Sequence, residues 1–144
     1  MPQLRRKTTQ LPDGVMMQTQ EEQPYIFPSL DLLAHPQPQV GISQEEDEVR
    51  SRILENTLQS FKVPAKVRNI THGPAISRFE LELAPGVRVS KVTDLNRNIA
   101  MNLEVKSVRI EAPIPGKSLV GVEVPNRERA TVTLREVLES DVMR

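Results

Sequence analysis

The sequence predicts an α+β protein: a two-layer sandwich in which a four-stranded sheet carries helices on one face, in the order α-β-β-α-β-β-α. Three observations point there. Ile76 to Leu83 alternates cleanly, with Phe79, Leu81 and Leu83 on one side and Arg78, Glu80 and Glu82 on the other, the period of a strand with one wet face. Val92, Leu95, Ile99 and Leu103 recur at helical spacing and form a stripe suited to packing on a sheet. Two ββ units, each preceded by a helix, bury their apolar faces most simply as two layers.

The elements follow in order. Met1 to Gln23 lacks any periodicity and is rich in Gln, Thr and charge, which predicts disordered linker. Residues 1–42 are expected to be linker, with an apolar docking segment at 25–33 (Ile26, Phe27, Leu30, Leu32, Leu33). Residues 43–140 are expected to be the folded domain. Ser43 and Glu46 have capping-box spacing, and Glu45 to Glu48 lie where a helix dipole favours negative charge. Val49, Ile53, Leu58 and Phe61 suggest the buried face of that helix, and Pro64 ends it. Lys66 to Thr71 is the first strand; its imperfect alternation predicts a bulge or an edge. His72-Gly73-Pro74 turns the chain into the second strand, and Ala84-Pro85-Gly86 closes that strand. A second helix starts near Ser90. Val108 and Ile110 open the third strand, and Val120, Val122 and Val124 form the fourth. Thr133 and Glu136 make a second capping box, opening a short helix with Leu134, Val137 and Leu138.

Composition narrows the chemistry. The 144 residues suffice for one domain with a modest core. There is no Cys, which excludes disulfides, thiolate zinc sites and thiol catalysis. Aromatic residues are 3% of the chain, too few for the stacking platforms of single-strand or RNA binders. No apolar run approaches the roughly 18 residues of a membrane span, and the first ten residues lack the apolar core of a signal peptide. Net charge is zero, yet Lys62 to Arg135 holds 13 Lys or Arg against 7 Asp or Glu. The acidic excess sits mainly in Glu45 to Glu48. Such a basic stretch could meet a phosphate backbone, but taken without other information a solvated surface with ordinary charge scatter is the favoured reading.

Pro115-Gly116-Lys117-Ser118 looks like the end of a phosphate-binding G-x-x-x-x-G-K-[ST] loop. Counting back from Gly116 puts Glu111 where the first glycine belongs, and Pro113 and Pro115 each remove an N–H donor. The residues instead predict two strands joined by a stiff loop with a basic tip, able to present Lys117 to a neighbouring subunit. His72 lies in a turn without metal-ligand spacing, and Glu80 and Glu82 share the wet side of a strand without a pocket to tune them. No catalytic residue, cofactor site or metal site is assigned. The candidates for phosphate contact are Arg78, Lys91, Arg97, Lys106, Arg109, Lys117, Arg127 and Arg129. They supply charge without base-edge geometry, so contact with nucleic acid would be blind to sequence.

Val108 to Asn126, VRIEAPIPGKSLVGVEVPN, closely resembles the segment before the ATPase core in the FtsK/SpoIIIE family of bacterial DNA translocases. FPSLDLL (Phe27 to Leu33), GPAISRFELELAPGVRVSKV (Gly73 to Val92) and LREVLES (Leu134 to Ser140) resemble that family in the same order. Asn96-Arg97-Asn98 departs from it, since many relatives carry an acidic residue there. The resemblance is to the alpha domain of the motor. It implies a non-catalytic domain in a hexameric, ATP-dependent pump of double-stranded DNA, acting in chromosome segregation, cell division or sporulation. It further implies ring assembly, sequence-independent DNA contact and a cytoplasmic position. ATP and Mg²⁺ are expected only in a following RecA-like motor domain. Beside that family, the chain is expected to be a fragment, a cloned domain or a truncated gene product. The alternative is a protein–protein assembly module without DNA contact.

Overall fold

A computed structural model describes residues 24–143 of the chain. The expected disordered linker of Met1 to Gln23 lies outside the described residues. The chain divides into two units at residue 34. In the first, Ser29 Oγ accepts the Asp31 N–H at 3.2 Å and caps a 3₁₀ turn, Leu30–Leu32. Tyr25 and Phe27 stack edge to face, with ring centroids 5.1 Å apart. Ile26, Phe27 and Leu32 are strongly exposed.

The second unit contains α1 (Gln44–Ser60), β1 (Ala65–His72), β2 (Ile76–Leu83), α2 (Val89–Asp94), α3 (Asn96–Asn102), β3 (Arg109–Glu111), β4 (Val120–Pro125) and α4 (Leu134–Glu139). The four strands form one antiparallel sheet in the order β1-β2-β4-β3. Phe79 and Leu81 of β2 and Val120, Val122 and Val124 of β4 point to one face. Leu54 and Leu58 of α1, Val92 of α2, and Ile99 and Ala100 of α3 close over them as a single aliphatic core. β1 is an edge strand, and its pairing with β2 shifts register between Val67 and Asn69, so both causes of its imperfect alternation are present.

Several local expectations change. The buried face of α1 is Arg50, Leu54, Thr57 and Leu58, whereas Val49 is 50% and Phe61 45% exposed. The reason is that the two polar members find partners in the protein. Arg50 donates to Pro125 O at 3.3 Å; Thr57 Oγ1 donates to Ile53 O at 2.7 Å and accepts from Asn102 Nδ2 of α3 at 2.9 Å. Ser43 caps α1 by accepting the Glu46 N–H at 3.1 Å. The Glu46 carboxylate, however, sits 3.4 Å from the Arg50 guanidinium. At α4 both halves of the box form between Thr133 and Glu136.

The second predicted helix is broken at Leu95 into α2 and α3, and it is capped by the backbone of Arg88 rather than by Ser90. Leu95 has φ −88° and ψ 8°, and the Ile99 N–H still bonds back to Leu95 O at 2.9 Å. Val92, Leu95, Ile99 and Leu103 therefore all still reach the core. Both α1 and α3 end in Schellman turns built on non-glycine residues. Lys62 and Glu104 adopt positive φ, while Val63 N–H bonds Leu58 O at 2.9 Å and Val105 N–H bonds Ala100 O at 3.0 Å.

Candidate nucleic-acid interface

The outer face of the sheet, away from the helices, is built from charge. Strand register brings Thr71, Arg78, Glu123 and Arg109 into one cross-sheet row, with Asn69, Glu80, Gly121 and Glu111 in the next. Gly121 leaves a trough between its neighbours. A Cβ there would sit 3.1 Å from Arg78 Nε and 3.3 Å from Ile114 Cγ1. Arg78 crosses this trough to pair with Glu111. Its Nε is buried with no hydrogen-bond partner among the described residues.

The Pro113–Ser118 loop folds back over the same face. Ile114 is buried, its N–H bonds Leu119 O at 2.8 Å, and Lys117 N–H bonds Ile114 O at 3.0 Å. Gly116 takes the positive φ of 77° that the turn requires. Lys117 thereby reaches Glu80, with Nζ 3.1 and 3.2 Å from the two carboxylate oxygens. That hydrogen bond holds the Glu80 carboxyl below the usual range. Burial pushes the other way, and the Lys117 charge, the Asn69 amide and the Arg78 charge reinforce the lowering. The residues after Ser118 continue into β4, so the loop joins two strands.

Pairing sorts the eight sequence-selected cations. Arg78, Arg109 and Lys117 lie on the sheet face, each held by a carboxylate; Arg109 reaches Glu123 at 3.2 Å. Arg68 and Lys66 on β1 pair with Glu82 and Glu55. Arg127 is 3.9 Å from Glu46. Lys91, Arg97, Lys106 and Arg129 are exposed and make no ion pair among the described residues. Two open grooves of about 350 and 570 Å³ flank β1, lined by residues such as Glu55, Arg68 and Asn69, and include none of the eight cations. Among the described residues no helix is long and apolar enough to cross a membrane, and no group of three metal-ligating side chains stands together.

One constellation escapes sequence reasoning. His72 Nε2 lies 2.8 Å from Asp47 Oδ2, and His72 Nδ1 lies 2.9 Å from Ser77 Oγ. This matches the residue types of a hydrolytic triad, but the chemistry is closed off. Ser77 is 1% exposed and donates its hydroxyl proton to Asn126 Oδ1 at 2.6 Å. Asn126 Nδ2 donates in turn to Gly73 O at 2.9 Å. The chain of bonds clasps the start of α1, the β1–β2 turn and the exit from β4. Its one sequence signal is Ser77 itself, a polar residue on the strand side otherwise occupied by Phe79, Leu81 and Leu83.

Comparison with known proteins bears on this geometry. Residues 27–126 match the FtsK alpha domain. The DNA translocase FtsK of Staphylococcus aureus is 49% identical over 115 residues, covering 80% of this chain and 15% of that protein. The DNA translocase FtsK of Staphylococcus epidermidis is 50% identical over 115 residues, covering 80% and 14%. That of Clostridium tetani is 50% identical over 120 residues, covering 81% and 16%. The chain thus spans a small fraction of the length of the curated relatives it matches.

Proposed function

The chain belongs to the FtsK alpha domain family, and from that premise we propose that it is the non-catalytic alpha domain of an ATP-dependent, hexameric translocase of double-stranded DNA. It helps assemble the ring, touches DNA without regard to sequence, and passes motion from the ATPase to the nucleic acid. Its partners are double-stranded DNA, the RecA-like motor domain of the same protein and further copies of itself. ATP and Mg²⁺ bind in the motor domain. The whole machine serves chromosome segregation in division or sporulation, with this segment on the cytoplasmic side and off the membrane.

The observation that carries this reading is the match of residues 27–126 to a domain of DNA translocases. The exposed cations Lys91, Arg97 and Lys106 support the DNA contact, because unpaired Lys and Arg release counterions on meeting phosphate. The test has two parts. The chain purified alone turns over no ATP, with or without duplex DNA. The intact protein lacking residues 43–140 loses ring assembly and DNA-stimulated translocation. ATP turnover by the isolated chain would contradict the reading.

A second reading, an assembly module without DNA contact, draws on the exposed apolar side chains of Ile26, Phe27 and Leu32 and on the carboxylates that already occupy Arg78, Arg109 and Lys117. It requires that neutralising every candidate cation leave DNA binding by the intact protein unchanged.

A further inference from the structure

We propose that the phosphate-contacting surface is the α2–α3 layer, through Lys91, Arg97 and Lys106, and that the outer face of the sheet does not touch DNA. The inference rests on the DNA-contact reading above and deepens it by assigning the face.

The first ground is pairing. On the sheet face Arg78, Arg109 and Lys117 each have a carboxylate within the protein, and Glu80, partner of Lys117, is itself buried. A phosphate approaching that face meets Glu111 and Glu123 together with the cations, so contact there places carboxylates beside the anion. Between residues 88 and 106, by contrast, Arg88, Lys91, Arg97 and Lys106 have no ion-pair partner among the described residues. Asp94 and Glu104 lie in the same span, leaving a positive excess there. A phosphodiester can replace condensed counterions at these cations without disrupting the fold.

The second ground is placement. The Schellman turn at Glu104 sends the chain back along α3, with Val105 N–H on Ala100 O. Asn96 Nδ2 then donates to Val108 O at 2.9 Å, pinning the returning segment to the start of α3. These two bonds bring Lys106 alongside the helix that carries Arg97, although nine residues separate them in sequence. α2, bearing Lys91, joins α3 directly at Leu95. Val92, Ile99 and Ala100 face the core, so this layer covers the side of the sheet opposite the paired charges. The partner is a continuous phosphate backbone: cations on two short helices and a returning loop offer no edge that could read a base.

The test measures binding of the intact protein to an arbitrary-sequence DNA duplex by fluorescence anisotropy across a salt series. The variant Lys91→Gln/Arg97→Gln/Lys106→Gln should flatten the slope of log K against log salt by about 0.9 for each lost contact. The charge-conserving variant Lys91→Arg/Arg97→Lys/Lys106→Arg should keep the slope. Arg109→Gln/Glu123→Gln, which removes a whole pair from the sheet face, should leave binding unaltered. Weaker, less salt-dependent binding by the sheet variant would overturn the assignment of the face while leaving DNA contact standing. If neither neutral variant changes the slope, the α2–α3 assignment is overturned, and neutralising all eight candidate cations together then decides DNA contact.

Discussion

The ammonium of Lys117, at the tip of the Pro113–Ser118 loop, lies 3.1 and 3.2 Å from the two carboxylate oxygens of Glu80 on the neighbouring strand β2. The basic residue that most resembles part of a nucleotide-binding motif is thus tied to a buried carboxylate of its own sheet. Replacing it by Met removes the leading cause of the lowered Glu80 ionisation. Because the folded value is depressed, the stabilisation is complete above the ordinary glutamate range, about pH 4.3, and vanishes as pH falls through the lower folded value. Lys117→Met should therefore reduce the urea midpoint at neutral pH, and the gap to wild type should close in acid. A gap that stays constant into strong acid would contradict the linkage.

Gly121→Ala should destabilise the domain by roughly 1–3 kcal/mol, the usual cost of overpacking. The added methyl meets Arg78 Nε at 3.1 Å and the buried Ile114 at 3.3 Å, so these side chains must shift by a few tenths of an ångström to admit it. Chemical denaturation measures the change. A neutral or stabilising result would mean that the trough over Gly121 is not filled as described.

Ser77→Ala leaves His72 Nδ1 and Asn126 Oδ1 without their shared hydroxyl. Losing this buried central hydroxyl should cost about 1–3 kcal/mol. The clasp role further predicts faster amide exchange at Asn126, whose N–H bonds Ala75 O at 2.9 Å. Unchanged exchange there would argue that the clasp holds nothing.

Leu54→Ala and Val49→Ala separate the two possible faces of α1. Leu54 is fully buried, and its truncation should cost about 2–5 kcal/mol; Val49 is half exposed, and its truncation should cost well under 1 kcal/mol. Equal losses would restore the face expected from apolar spacing alone.

Thr133→Ala removes the hydroxyl's two bonds at the α4 cap, from the Glu136 N–H and to the Glu136 carboxylate, keeps the backbone N–H bond to that carboxylate, and should cost about 1 kcal/mol of helix stability. The Thr133 backbone and hydroxyl hold the Glu136 carboxyl below its usual range. The carboxylate's share of the cap is therefore present at neutral pH and lost as acid protonates it. Amide exchange within Leu134–Glu139 reads both effects; protection that ignores pH and the substitution alike would refute them.

Periodicity and capping are local properties, and they carried the architecture. The alternation of Ile76 to Leu83, the stripe from Val92 to Leu103, the Thr133–Glu136 box and the irregularity of the first strand were all legible because neighbours along the chain decide them. Apolar spacing does not locate the buried face of α1. Arg50 and Thr57 look solvated by residue type, and only partners on β4 and α3 make their burial tolerable. By residue type the eight cations look alike; only the fold shows Arg78, Arg109 and Lys117 matched to carboxylates.

Which charges remain available is decided at long range. Arg78 and Glu111 are 33 residues apart, and Lys117 and Glu80 are 37 apart; strand register and a folded-back loop bring each pair together. The sequence alone determined the layers, the family resemblance and the supply of positive charge. The tertiary structure decided which cations are neutralised and which stand open, because Coulombic pairing depends on distance in space, and only the folded chain defines those distances.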